Sequence, residues 1–173
     1  MNPTKNYLLL LTLAFSMIGM GQVWLVQLSS YRLWAYVGPR EFESYHIAWW
    51  HSIWGPIFVP AGFAVVGTVG LLWWRPGEVS RKSIRAAIVL LLVTYVLTWL
   101  WWAPLMAMIG VNTAAYAQIF HWAPQLAWLG LGGRTQAQLY SLLMSTHWLR
   151  LALLTVYAIL IFSMTLRAIG RKE

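Results

Sequence analysis

Long apolar runs separated by short charged segments constrain this chain of 173 residues more than any other feature. Hydrophobic residues make up 60% of the chain and charged residues only 9%, which is too little charge for the surface of a soluble domain. A helix needs about 20 apolar residues to cross a hydrocarbon core of about 30 Å. The sequence therefore predicts an all-α polytopic membrane protein, a four-helix transmembrane bundle that forms one domain over residues 1–173.

Four runs are long enough to be membrane spans, and they cover residues 7–28, 47–74, 86–109 and 148–166. The first run has no Ala-x-Ala cleavage site, so we expect a retained helix rather than a signal peptide. Residues 29–40 contain a Gly-Pro turn signal and are predicted to be an irregular connection. Residues 110–134 are apolar and aromatic, and we expect them to cover the bundle as an outer cap.

Prolines and a threonine mark further features of the predicted helices. The second helix is predicted to begin near Arg40 or Glu41. Pro56 and Pro60 are expected to bend it, because each removes an amide donor and crowds the preceding turn. The last helix is predicted to begin at Thr135, whose side chain can cap it.

The distribution of basic residues predicts the orientation in the membrane. With the N-terminus in the cytoplasm, eight of the twelve lie inside: Lys5, Arg75, Arg81, Lys82, Arg85, Arg167, Arg171 and Lys172. Four lie outside: Arg32, Arg40, Arg134 and Arg150. The positive-inside rule then favours a cytoplasmic (inner) membrane protein with both termini inside.

The net charge of +8 has the same explanation. The basic residues stand at the ends of apolar runs, a pattern typical of topology signals and of contact with anionic lipid rather than nucleic acid. The absence of cysteine excludes disulfides, thiolate metal ligands and thiol redox chemistry. The predicted partners are the lipid bilayer and a small hydrophobic or aromatic ligand.

The predicted topology places all four histidines on the outer side, together with Glu41 and Glu43. At about 100° per residue, Glu43 and His46 share one helical face with Trp50. His147 and Arg150 share a face of the last helix. The sequence therefore predicts a site made by His46, Glu43, His147 and Arg150. It also predicts an ion pair between Arg150 and Glu43 or Glu41, because a charge inside an apolar core needs a partner.

Four kinds of site remain open on this pattern. A metal needs three or four convergent ligands, for which His46, Glu43 and His147 are candidates. A b-type haem needs two facing histidines, either His46 with His147 or His51 with His147. A metal-free site needs only histidine as general base and arginine as anion clamp. The fourth possibility is a scaffold without chemistry. His51, Trp50 and Trp102 are the candidate cofactor-binding residues.

Several short motifs resemble a known family. They are Glu41-Phe42-x-x-Tyr45-His46, Gly55-Pro56, the Pro104 that ends the third span, and Thr146-His147-Trp148-Leu149-Arg150. They are similar to motifs of uncharacterised four-helix bacterial membrane proteins, and more distantly to the anthrone oxygenase-like (DUF1772) family. That resemblance implies a membrane enzyme that oxygenates an aromatic, anthrone-like substrate, and it carries over His46 and Arg150. His147 stands where family members have Asn, and Leu151 stands where they have Thr.

The leading functional hypothesis is a small membrane redox or oxygenase-like protein. Its outward-facing His/Glu/Arg site would bind a flat hydrophobic molecule. The alternative is a non-catalytic accessory or cofactor-binding subunit of a larger membrane complex.

Overall fold

A computed structural model describes residues 3–38, 40–109 and 134–170, and this part of the chain is helical without any strand. Four long helices are α1 (Pro3–Leu25), α2 (Phe42–Trp74), α3 (Arg81–Leu97) and α4 (Gln136–Gly170). The predicted all-α class is confirmed. The predicted outer cap lies almost entirely outside the described residues, and so does His121.

The first helix runs further than the sequence predicted. After α1 the chain continues through a π-helical turn, π1 (Val26–Ser30), then an α turn at Tyr31–Leu33 and a 3-10 turn at Trp34–Tyr36. The prediction of an irregular connection over residues 29–40 was therefore wrong for most of that segment. The physical reason is burial: continued helix places Tyr31 and Trp34 in the core, where they are 1% and 3% exposed.

The third helix also contains a π-helical turn. After α3 come π2 (Thr98–Trp102) and a last α segment, Ala103–Ile109, which begins just before Pro104. In contrast, α2 is one continuous helix that includes both Pro56 and Pro60. The bend predicted at those two prolines remains a prediction.

Polar side chains cap the N-termini of α3 and α4. The amide of Ser83 donates to the hydroxyl of Ser80 at 3.0 Å, at the start of α3. At the start of α4 the amide of Gln138 donates to Thr135 Oγ1 at 3.3 Å, and the Gln138 side chain accepts from the Thr135 amide at 2.9 Å. This reciprocal pair is a capping box, so the predicted cap at Thr135 is confirmed.

Four helical stretches are long and apolar enough to cross a membrane: Lys5–Tyr36, Phe42–Trp74, Arg81–Met106 and Gln136–Gly170. The predicted spans 47–74 and 148–166 each lie inside one described helix, whereas 7–28 and 86–109 each continue into a π-helical turn. Where lipid meets these helices, and which end faces the cytoplasm, remain predictions.

The chain divides into two compact units. The first comprises Met1–Trp24, Trp54–Thr94 and Leu151–Glu173, and the second comprises Leu25–Ile53 and Tyr95–Arg150. In the first unit a buried tyrosine joins three helices. The Tyr157 hydroxyl of α4 lies 2.9 Å from Ser16 Oγ of α1 and 2.7 Å from Thr68 Oγ1 of α2. Because the surroundings are apolar, these hydroxyls depend on one another for hydrogen bonds.

Glycine permits close helix packing at one position on α2 but not at two positions on α1. A Cβ added at Gly67 would collide with the Thr12 hydroxyl, so α1 and α2 approach closely there. Gly19 and Gly21 show no such approach, because among the described residues no heavy atom lies within 4 Å of a Cβ added at either position.

The Tyr157→Phe substitution is expected to destabilise the protein by about 1–2 kcal/mol, because it removes the hydroxyl that joins Ser16 to Thr68. The matched control is Tyr7→Phe, since Tyr7 is 65% exposed. Unfolding in mixed detergent micelles measures both. Equal losses for the two variants would contradict this role.

The Gly67→Ala substitution is expected to destabilise the protein by about 1–3 kcal/mol, because the new methyl group forces Thr12 out of its place. Gly62→Ala is the control: it lies on the same helix, and no described heavy atom lies within 4 Å of its added Cβ. Both variants gain the same helix propensity, so the difference between their unfolding free energies isolates the contact. A difference near zero would refute the close approach.

Candidate functional site

His46 lies inside an aromatic cluster of the second unit. Its side chain is 0% exposed. The ring centroid of Trp34 is 4.8 Å away with the planes at 81°, and the rings of Phe42 and Trp49 stack on it at 5.6 and 5.9 Å. Phe42 and Trp49 are on the same helix as His46, four and three residues away, and Trp34 comes from the extension of α1. The imidazole is therefore enclosed on several sides by aromatic rings.

Tyr31 connects this cluster to the second histidine. Its ring centroid is 4.9 Å from that of Trp34 and 5.0 Å from that of His147, which is also 0% exposed. The Tyr31 hydroxyl donates to Met106 Sδ at 3.3 Å, and its carbonyl accepts from the Tyr140 hydroxyl at 2.9 Å. Tyr31 is thus fixed at both its backbone and its side chain.

Gln27 determines which nitrogen of His147 carries the proton. Its amide Nε2 donates to the Met144 carbonyl at 3.2 Å, so its Oε1 faces His147 Nδ1, 2.9 Å away. An amide oxygen only accepts, so Nδ1 must carry the hydrogen. In the neutral imidazole Nε2 then has a free lone pair. That buried atom has no hydrogen-bond partner among the described residues.

Arg150 follows His147 by three residues on α4, close to the same face. Its guanidinium carbon lies 5.8 Å from the centroid of Trp102, over the ring, and Trp102 is 1% exposed. Its buried Nε has no hydrogen-bond partner in the described part of the chain. A cation–π contact stabilises a desolvated guanidinium by about 2 kcal/mol, but it does not neutralise the charge.

The ion pair predicted between Arg150 and Glu43 or Glu41 was wrong. Both carboxylates are exposed, and no described carboxylate lies within ion-pair distance of Arg150. The buried face of α2 is formed by residues 46, 49 and 50 with Phe42 at its edge. Glu43 lies about 20° beyond that arc, so its carboxylate reaches solvent or headgroups.

The remaining predicted residues lie in different surroundings. Trp50 is buried beside Trp49, with ring centroids 6.4 Å apart, and Trp102 is buried between His147 and Arg150. His51 is exposed. The structure therefore brings together His147, Arg150 and Trp102, places His46 and Trp50 in the adjoining cluster, and leaves Glu43 and His51 out.

Two π-helical turns supply the partners of α4. Gln27 lies in π1, and Trp102 lies in π2. Trp101, also in π2, donates its indole N–H to Thr146 Oγ1 at 3.0 Å. A π turn inserts an extra residue into a helix and is common at functional sites. Both turns direct side chains to the segment around His147.

The ligand set limits which cofactors this site fits. No group of three His, Cys, Asp or Glu side chains among the described residues is placed to hold a metal ion. The ring contacts from His46 to His147 run through Trp34 and Tyr31. A haem held by both imidazoles would have to take the place of these rings, so the packing does not favour it. His51 is exposed, which does not favour the other haem pairing.

Sequence reasoning missed Gln27, Tyr31 and Trp34 as site residues. Their spacing of four and then three is helical, and Gln27 is an isolated polar side chain in an apolar run. These two signals together identify the buried face of residues 27–34, but only if that segment is assigned to a helix.

The Gln27→Leu substitution is expected to reverse the tautomer of His147 and to destabilise the protein by about 1–3 kcal/mol, since it leaves a buried N–H unpaired. Nitrogen-15 NMR of histidine-labelled protein distinguishes the two tautomers. The wild-type spectrum should show one histidine protonated at Nδ1, and Gln22→Leu should preserve it. An Nε2-protonated His147 in the wild type would disprove the assignment.

Comparisons with protein-family models, with curated proteins and with solved structures found no match for this chain. The resemblance to the anthrone oxygenase-like family therefore remains a prediction.

Proposed function

We propose that this chain is an integral protein of the cytoplasmic membrane that binds a flat hydrophobic molecule through an ionisable hydroxyl group. The site comprises His147, Arg150 and Trp102 in the second unit. Both termini lie in the cytoplasm, because this orientation places eight of twelve basic residues inside. His147 and Arg150 then lie toward the outer side.

The observation that carries the proposal is the half-buried Arg150: its buried Nε has no hydrogen-bond partner, and no carboxylate lies within ion-pair distance, among the described residues. A charge inside an apolar core costs about 3 kcal/mol even on the lenient insertion scales. Trp102 offsets part of that cost, and none of the three described glutamates lies within ion-pair distance of Arg150. An anion supplied by a ligand would neutralise the charge with a charge-assisted hydrogen bond.

His147 provides the second half of the recognition. The bond from Nδ1 to Gln27 leaves the Nε2 lone pair as the acceptor. A phenol or enol would donate its proton to Nε2: the O–H bond breaks, the N–H bond forms, and the oxygen anion stays beside Arg150. Gln27 accepts from Nδ1–H in both charge states, so the ring keeps its orientation throughout.

The aromatic walls suit a flat ligand. Tyr31 contacts His147 edge-on at 75°, and Trp102 does so at 76°. Aromatic ligands pack well in such edge-to-face surroundings, which contribute about 0.5–1.5 kcal/mol for each pair. The ligand class is therefore an aromatic phenol or enol rather than an aliphatic acid.

An oxygenase-like reaction follows from the same arrangement. Removal of a proton from an anthrone-like carbon gives an electron-rich enolate held by Arg150, and His147 holds the proton. Dioxygen is the oxidant: one oxygen atom replaces the two hydrogens of the carbon as a carbonyl, and the other leaves as water. If the protein binds the ligand but does not catalyse this reaction, it is the non-catalytic accessory subunit of the alternative hypothesis.

We expect wild-type protein in nanodiscs to bind 1-naphthol and to shift it toward naphtholate, as measured by absorption against empty nanodiscs. Arg150→Gln should weaken binding by about 10-fold to 100-fold, because a charged hydrogen bond contributes about 1.5–3 kcal/mol. The control is Arg167→Gln, an exposed arginine of the same helix. Equal affinities for the two variants would remove the basis of the proposal.

His147→Gln should abolish naphtholate formation, whereas His51→Gln should not, because His51 is exposed. Oxygen uptake with 1,8-dihydroxyanthrone then separates the two functional classes. Uptake that is lost in His147→Gln would indicate an enzyme. Naphtholate formation without uptake would limit the protein to binding, and no binding at all would reject both.

A further inference from the structure

Two further buried donors stand at the other end of the aromatic cluster. The indole Nε1–H groups of Trp34 and Trp49 are buried and have no acceptor among the described residues. The two side chains are only 3% and 8% exposed, and their ring centroids are 4.9 Å apart at 85°. Leaving a donor unsatisfied costs about 1–3 kcal/mol for each group, and lipid offers no acceptor as water does.

These donors are within reach of the His147–Arg150 end. Tyr31 contacts Trp34 at 4.9 Å and His147 at 5.0 Å, so the centroids of those two rings are no more than about 10 Å apart. The Tyr31 ring therefore separates the hydroxyl-binding end from an end with two indole donors. A bicyclic aromatic molecule is of comparable length, and it would lie against the Tyr31 ring, not in its place, with a polar group at each end.

We infer that Trp34 and Trp49 form a second subsite, which donates hydrogen bonds to an acceptor oxygen at the far end of the ligand ring system. The inference rests on the proposed function, since it places the ionisable hydroxyl at His147. It narrows the ligand to aromatic molecules with oxygens at opposite ends, the quinol and quinone class. Such molecules partition into bilayers, as the surroundings of the site require.

The donor count favours this class over a ligand with a single oxygen. Five buried groups of known polarity have no hydrogen-bond partner among the described residues. Four are donors, the indole N–H groups of Trp34, Trp49 and Trp102 and the Nε–H of Arg150, and one is an acceptor, His147 Nε2. A ligand with one hydroxyl meets the needs of the His147–Arg150 end only. A second oxygen satisfies the donors that this leaves unpaired.

Two probes test the second subsite directly. The compounds 1-naphthol and 4-methoxy-1-naphthol share the hydroxyl, and only the second has an acceptor oxygen opposite it. After correction for partition into empty nanodiscs, the wild type should bind the methoxy compound about tenfold more tightly than 1-naphthol. This affinity ratio corresponds to the free energy of one good hydrogen bond. In the Trp34→Phe, Trp49→Phe double variant this ratio should fall to about one, with the affinity for 1-naphthol retained.

Controls separate the indole N–H from the indole ring. Replacing Trp34 and Trp49 by benzothienylalanine keeps the ring size but removes the N–H, so the ratio should still be lost, and this variant serves if the phenylalanine variant does not fold. Trp73→Phe, at a 68% exposed position, should leave the ratio unchanged.

Each outcome decides between the proposals. Equal wild-type affinities for the two probes overturn the second subsite while the proposed function stands. If the tryptophan variants lose affinity for both probes equally, the indole rings only line the site, and the second subsite is overturned as well. Failure of both probes to bind the wild type overturns the proposed function together with this inference.

Discussion

The hydrogen bond between Gln27 and His147 organises the candidate site. In an apolar helix pack neither lipid nor core offers a partner to a polar group, so each must be satisfied by another side chain or by the backbone. Gln27 uses both ends of its amide, one on the Met144 carbonyl and one on the imidazole. That single constraint fixes the histidine tautomer and leaves the Nε2 lone pair without a hydrogen-bond partner among the described residues, three residues before Arg150 on the same helix.

The π-helical turns explain how the partners of α4 come to face it. Helices usually avoid such turns, because the inserted residue disturbs the regular ladder of hydrogen bonds. Here π1 carries Gln27, and π2 carries Trp101 and Trp102, so the turns account for three side chains that contact Thr146, His147 or Arg150. The loss of regular backbone geometry is offset by contacts that a regular helix would direct elsewhere.

Hydrophobic patterning was sufficient to predict the helices, and it placed His46, His147, Arg150 and Trp102 among the candidate residues. It failed where the burial of a side chain, or its angle around the helix axis, determines the structure. Ser29, Ser30 and the Gly-Pro pair at 38–39 resemble a loop, yet burying Tyr31 and Trp34 extends the helix through residues 31–36. Glu43 lies near the buried face of α2 but about 20° beyond its edge. Residue spacing along the sequence does not resolve so small an angle. The positions of the two π turns could not be predicted, because no sequence pattern marks them.

The hydroxyl network of the first unit and the aromatic cluster of the second unit differ in how their buried polar groups are satisfied, and this contrast indicates where a ligand binds. In the first unit the hydroxyls of Ser16, Thr68 and Tyr157 bond to one another and to helix carbonyls, so the network is complete within the protein. In the second unit an imidazole nitrogen, a guanidinium nitrogen and three indole N–H groups are buried without hydrogen-bond partners from the described residues. A saturated network stabilises helix packing, whereas an unsaturated one costs free energy that only an additional molecule recovers. Ligand binding is therefore expected in the second unit, and the polar groups left over there specify the ligand's oxygens.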